Sequence, residues 1–151
     1  MASFSPLTLD KTGTGYALTA TATGLNTATS SSFNITAGVA TQLAFGTEPG
    51  TTVANRQITP AVKVRALDAF GNVATGFTGA VAVALGSNPG SATLSGTTPV
   101  AAVGGVATFV DLSVNKTGTG YTLTGSASGF APVTSTAFDI KIGRASCRER
   151  V

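Results

Sequence analysis

The stretch NKTGTGYTLTGSASGFAPVTSTAFDI, residues 115–140, has a near-twin earlier in the same chain, DKTGTGYALTATATGLNTATSSSFNI, residues 10–35. Residues 2–35 laid over 107–140 at an offset of 105 match at 17 of 34 positions without a gap, which chance does not produce. The offset is therefore a repeat period. The shared KTGTGY sets a lysine beside two glycines and a tyrosine. Phosphate binding by such a stretch would need G-x-G-x-x-G or G-x-x-x-x-G-K-[ST] ahead of a helix; neither copy completes either motif, and each precedes a strand pattern. The structural alternative is a tyrosine corner: Tyr121 begins the penultimate strand and its hydroxyl reaches back to backbone a few residues upstream.

A period of about 100 residues is too long for a solenoid unit and matches an immunoglobulin-like sandwich. Composition agrees: 42% hydrophobic but 7% aromatic and 10% charged, with 19 glycines, favours strands and turns over helices. The expected fold is all-β, an immunoglobulin-like antiparallel β-sandwich, with one complete domain at 36–140. Residues 1–35 are the C-terminal third of a preceding repeat, so the chain reads as a window on a longer tandem array. Met1 aligns with Val106, which suggests an internal GTG codon taken as a start; an upstream reading frame without a matching repeat would disprove that. Strands of residues 1–35 whose partners are missing should be loosely held, or should compete with 107–140 for the same place in the sheet.

The net charge of +3 suggests nucleic acid or a membrane surface until the charges are placed. Residues 141–151, KIGRASCRERV, carry the whole excess through Lys141, Arg144, Arg148 and Arg150 against Glu149, and the rest of the chain is neutral. The codons ATC GGA AGA GCG TCG TGT AGG GAA AGA GTG translate as IGRASCRERV and look like a common short-read sequencing adapter. The tail therefore reads as adapter read-through and is set aside from fold reasoning, the only cysteine, Cys147, included. The other reading, a basic arm for phosphate or anionic lipid, has less to support it. No nucleic-acid partner is expected. No apolar run approaches the roughly 20 residues that span a bilayer, so no membrane insertion is expected, and MASFSPLTLDK at the start is not an export signal.

Within 36–140, QLAFGTEP opens a first strand with Leu43 and Phe45. AVKVRALDAFGN alternates Val62, Val64 and Ala66 against Lys63 and Arg65, the period of a half-buried strand, and ends in a turn at Gly71 and Asn72. FTGAVAVAL supplies another strand around Val81, Val83 and Leu85, or its opposite face if the register slips by one. ATLSG is a short strand, and VAAVGGVATFV reads as a hairpin on a Gly104-Gly105 loop. Tyr121, Leu123, Ala127, Phe138 and Ile140 complete the core, with Leu123 at the place of an antibody domain's second cysteine.

The stretches VRALDAFGNVATGFTGAVAVAL, ATLSGTTPVAAVGGVATFVDLSV and TGTGYTLTGSASGF resemble the bacterial immunoglobulin-like repeats of large secreted and surface proteins, including invasin- and intimin-type adhesin stalks. The resemblance covers about 140 of the 151 residues but rests on turns and core. It implies architecture, an extracellular or cell-surface setting and neighbouring repeats of the parent chain as partners, with host-cell or glycan ligands met through other domains. The antibody disulfide and strand-C tryptophan are missing.

Absence of histidine removes imidazole-based triads and, with a single cysteine, Cys/His zinc sites. No catalytic, cofactor-binding or metal-binding residue is assigned, and no enzyme activity is expected. Asp68 and Asn72 flank AFG and could contribute to calcium at a seam between repeats, or form a plain turn with Asp68 accepting backbone N–H groups. Asp111 and Glu48 read as lone carboxylates, which argues against a two-carboxylate glycosidase. Phe70, Phe77 and Phe130 could stack on a sugar or pack the end of the sandwich. Asn34-Ile35-Thr36 and Asn115-Lys116-Thr117 match the N-glycosylation pattern, a coincidence expected in a threonine-rich chain. The leading expectation is a structural spacer; the alternative is a ligand- or carbohydrate-binding accessory module of an adhesin or secreted hydrolase.

Overall fold

A computed structural model describes residues 1–143; the remainder of the basic tail, with Arg144, Cys147, Arg148, Glu149 and Arg150, lies outside the described residues. The regular structure among the described residues is β throughout, so no helix is long and apolar enough to cross a membrane. In residues 1–35 the strands are β1 (Gly13–Tyr16), β2 (Thr19–Ala20), β3 (Ala28–Thr29) and β4 (Phe33–Ile35). Next come β5 (Gln42–Thr47), β6 (Thr52–Val53), β7 (Val62–Leu67) and β8 (Ala80–Leu85). They are followed by β9 (Leu94–Ser95), β10 (Val100–Ala101), β11 (Val106–Phe109) and β12 (Ser113–Val114). The last four are β13 (Gly118–Tyr121), β14 (Leu123–Ala127), β15 (Val133–Thr134) and β16 (Phe138–Lys141).

From residue 42 onward these strands form an immunoglobulin-like sandwich. One sheet runs β11-β7-β5 and the facing one β10-β8-β14-β15, all antiparallel. Strand β16 pairs antiparallel with β13 and parallel with β6, where Ile140 stands beside Thr52 and Lys141 beside Val53. It runs one residue beyond the repeat boundary expected at Ile140. The alternation read from AVKVRAL holds: Val62, Val64 and Ala66 are buried while Lys63 and Arg65 are exposed. In β8 the unshifted register is the observed one, with Val81 and Val83 inward. Phe109, Leu112, Val114, Tyr121, Leu123, Phe138 and Ile140 fill the space between the sheets, and Ala127 packs at its margin.

The Gly104-Gly105 turn is present, with both residues at positive φ (57° and 78°) as a two-residue primed turn requires. The hairpin expected around it is not. A single bridge joins Val103 to Val106; then β10 turns to β8 and β11 to β7, in opposite sheets. The inward residues on either side are claimed by different partners, so the turn carries the chain across the sandwich.

The tyrosine corner occurs twice. Tyr121 donates its hydroxyl hydrogen to the Lys116 carbonyl at 3.0 Å, and Tyr16 does the same to Lys11 at 3.2 Å. The glycines of TGTGY have separate duties. A Cβ on Gly118 would press on the Tyr121 ring, whereas Gly120 stands at φ 83° and Gly15 at 77°.

Candidate functional site

Strand β7 ends at Leu67, and the turn after it holds Asp68 and Asn72, the two residues weighed between a calcium contribution and a plain turn. Asp68 donates its N–H to the Asn72 carbonyl at 2.9 Å, and Gly71, free to take φ 83°, closes the turn onto the Asp68 carbonyl. The buried Asp68 carboxylate accepts N–H groups of Phe70 and Asn72 at 2.9 Å each and of Gly38, in the segment joining β4 to β5, at 3.0 Å. The Asn72 side-chain amide adds a donor at 3.0 Å. That amide, with the three backbone donors, overcomes the cost of burial and holds the Asp68 carboxyl down at about pKa 2. Oxygens engaged by four N–H donors are held as a turn anchor. Among the described residues no three His, Cys, Asp or Glu side chains gather in a group that could hold a metal ion, at this turn or elsewhere.

Asn72 also faces residues 10–12. Its Nδ2 donates to the Asp10 carbonyl at 2.7 Å, its Oδ1 accepts the Thr12 N–H at 3.3 Å, and Lys11 Nζ donates to the Phe70 carbonyl at 3.3 Å. The turn thus grips the backbone that leads into the first tyrosine corner, and so clamps residues 1–35 to the sandwich. A cleft of about 290 Å³ lies beside this contact, between Leu9 and Ile35 on one side and Val39 and Phe70 on the other.

The remaining candidates fall in separate places. Asp111 and Glu48, expected to stand alone, each hold a threonine. Asp111 accepts the Thr97 N–H at 2.9 Å and its hydroxyl at 2.6 Å, which lowers the carboxyl pKa; Glu48 accepts the Thr136 N–H at 2.9 Å. Phe77 and Phe130 pack edge to face at 5.3 Å against the core, under an open cleft of about 410 Å³, while Phe70 is 64% exposed. Asn34 and Asn115 each accept a backbone N–H, from Gly15 at 3.0 Å and Thr93 at 2.7 Å. Sequence reasoning missed a serine link whose signal was in the repeat: Ser135 accepts the Leu123 N–H and donates to the Thr136 carbonyl, and Ser30 does the same with Leu18 and Ser31.

No protein-family model matches the sequence. No curated protein is significantly similar to it. Among solved structures, the chain is similar to part of a glycosyl hydrolase family 2 member from Bacteroides cellulosilyticus DSM 14838. There the TM-score is 0.51 at 17% identity, over 74% of this chain and 16% of that one. A second structure of a Bacteroides cellulosilyticus glycosyl hydrolase family 2 member gives 0.47 at 15% identity, over 75% of this chain and 15% of that one. The chain therefore spans about a sixth of the length of these proteins. At such identities the likeness is one of fold.

Proposed function

We propose that the chain is a non-catalytic accessory module of a larger secreted protein, an immunoglobulin-like unit that holds its neighbours at fixed spacing and orientation. The observation that carries this reading is the Asp68–Asn72 turn. The buried Asp68 carboxylate fixes the turn within residues 36–140, and the Asn72 amide that it holds reaches across to the Asp10 carbonyl and the Thr12 N–H of the preceding unit. The three carboxylates most open to a chemical reading, Asp68, Asp111 and Glu48, all serve backbone N–H groups. The likeness to a stretch of a glycosyl hydrolase family 2 protein supports a place beside a hydrolase domain; a bacterial adhesin stalk is the second setting for the same role.

A carbohydrate-binding accessory module is the competing function, favoured by the exposed Phe70 ring beside the cleft at the junction. A polysaccharide and glycan array probed with this chain separates the two. The spacer reading expects no saturable binding. Saturable binding lost in Phe70→Ala would replace it with the binding module.

A further inference from the structure

The two copies of the repeated segment have the same internal geometry and opposite surroundings. Gly13 pairs with Ile35 and Tyr16 with Phe33, as Gly118 pairs with Ile140 and Tyr121 with Phe138. The ring pairs match too, at 6.2 Å and 31° for Tyr16–Phe33 and 6.0 Å and 34° for Tyr121–Phe138. Yet Phe4, Leu7, Leu9 and Leu18 are 68%, 64%, 46% and 47% exposed, where Phe109, Leu112, Val114 and Leu123 are 1%, 1%, 0% and 0%. Phe4, Leu7 and Leu18 border an open apolar trough of about 470 Å³.

The strands differ in the same places. Residues 2–4 and 8–9 form no strand, whereas their counterparts lie in β11, held by β7, and β12, held by β9. Strand β2 has two residues where its counterpart β14 has five, paired with β8. Every shortfall falls where the partner would come from residues 42–101. A contiguous exposed apolar face flanked by unpaired strand edges marks a binding surface, and the packed copy states what fits it.

We infer that the apolar face of residues 2–35 is a half-sandwich that accepts one kind of partner, a strand set like residues 42–101 supplied by another copy of the repeat. The partner brings counterparts of Leu43, Val62, Val64, Val81 and Val83 to the face, and its β7- and β8-like strands pair with the open edges. This rests on the reading of the chain as a module in an array, and names what seats against it.

The test compares this chain with an extended one in which residues 36–106 are repeated directly before residue 2. Amide hydrogen exchange is read at Gly13–Ala20 and, as an internal control, at Gly118–Ala127. The extension should slow exchange in Gly13–Ala20 on the order of a hundredfold or more, because those amides then open only with their sandwich. Binding of an apolar dye to the unextended chain should fall in parallel. Val62→Asp and Val64→Asp made in the added copy alone should abolish the gain. Unchanged exchange in Gly13–Ala20 with the control still protected overturns the inference, as does an extension that strips protection from the control. Sedimentation of the unextended chain as a dimer with Leu18 already protected also overturns it, in favour of a second copy of this face. Glycan binding is not read in any arm, so the accessory-module reading stands or falls separately.

Discussion

Leu18 and Leu123 occupy the same position in the two copies, each donating its N–H to a serine, and differ in what covers them. Leu123 is 0% exposed at the centre of the core and Leu18 is 47% exposed. Cutting Leu123 to alanine removes a buried side chain and leaves a hole that a close-packed sandwich fills poorly, at a cost of about 3 kcal/mol. Leu18→Ala removes a group half of whose surface never leaves water, and the gap stays open to solvent; its cost is about 1 kcal/mol or less and falls on residues 1–35. With a urea m-value of about 1.5 kcal/mol/M for a domain of this size, Leu123→Ala lowers the main unfolding midpoint by about 2 M. Leu18→Ala leaves that midpoint within about 0.3 M. Equilibrium unfolding followed by far-UV circular dichroism measures both. Equal midpoint shifts would refute the assignment of the two copies to covered and uncovered surroundings.

Tyr121→Phe removes the hydroxyl that satisfies the Lys116 carbonyl and should cost about 1 kcal/mol in the same urea experiment, with Tyr16→Phe leaving the main transition in place. Because Asp68 has its pKa lowered to about 2, its contribution to stability is complete above the unfolded value near 4 and is lost as pH falls through 2. The unfolding midpoint should therefore hold from pH 7 to about 5 and drop between about 4 and 2, a drop that Asp68→Asn makes smaller. Asn72→Ala should raise the Asp68 pKa, read by NMR titration of its carboxyl, and speed exchange of the Thr12 amide. At the crossover turn, Gly104→Ala should cost about 1–2 kcal/mol for its left-handed backbone alone. Gly105→Ala should cost more, since a Cβ there also meets the Ala74 carbonyl oxygen at 2.5 Å; thermal unfolding of the pair decides it.

The parts of the fold legible in the sequence were those written locally or written twice. Alternation at Val62, Val64 and Ala66 gives a half-buried strand, paired glycines give a primed turn, and a tyrosine after TGTG gives a corner. The split of the expected hairpin was not legible, because β10 and β11 satisfy the same local pattern and only the facing sheets decide which one each joins. The junction was half legible. Asp68 and Asn72 announced a turn, but Asn72 reaches Asp10 across 62 residues, and no spacing rule connects them. Glu48 and Thr136 are 88 residues apart and looked unpartnered for the same reason. Carboxylates scattered through a threonine-rich chain find their donors only once the strands are stacked.

The parallel contact between β6 and β16 has a mechanical consequence. The chain enters the sandwich at β5, passes directly into β6, and leaves it at β16, which lies alongside β6 and runs the same way. Tension applied between the two ends draws these neighbours past one another lengthwise, loading their hydrogen bonds together instead of peeling them off singly. A sandwich wired in this way resists stretching most strongly along the line through its two ends.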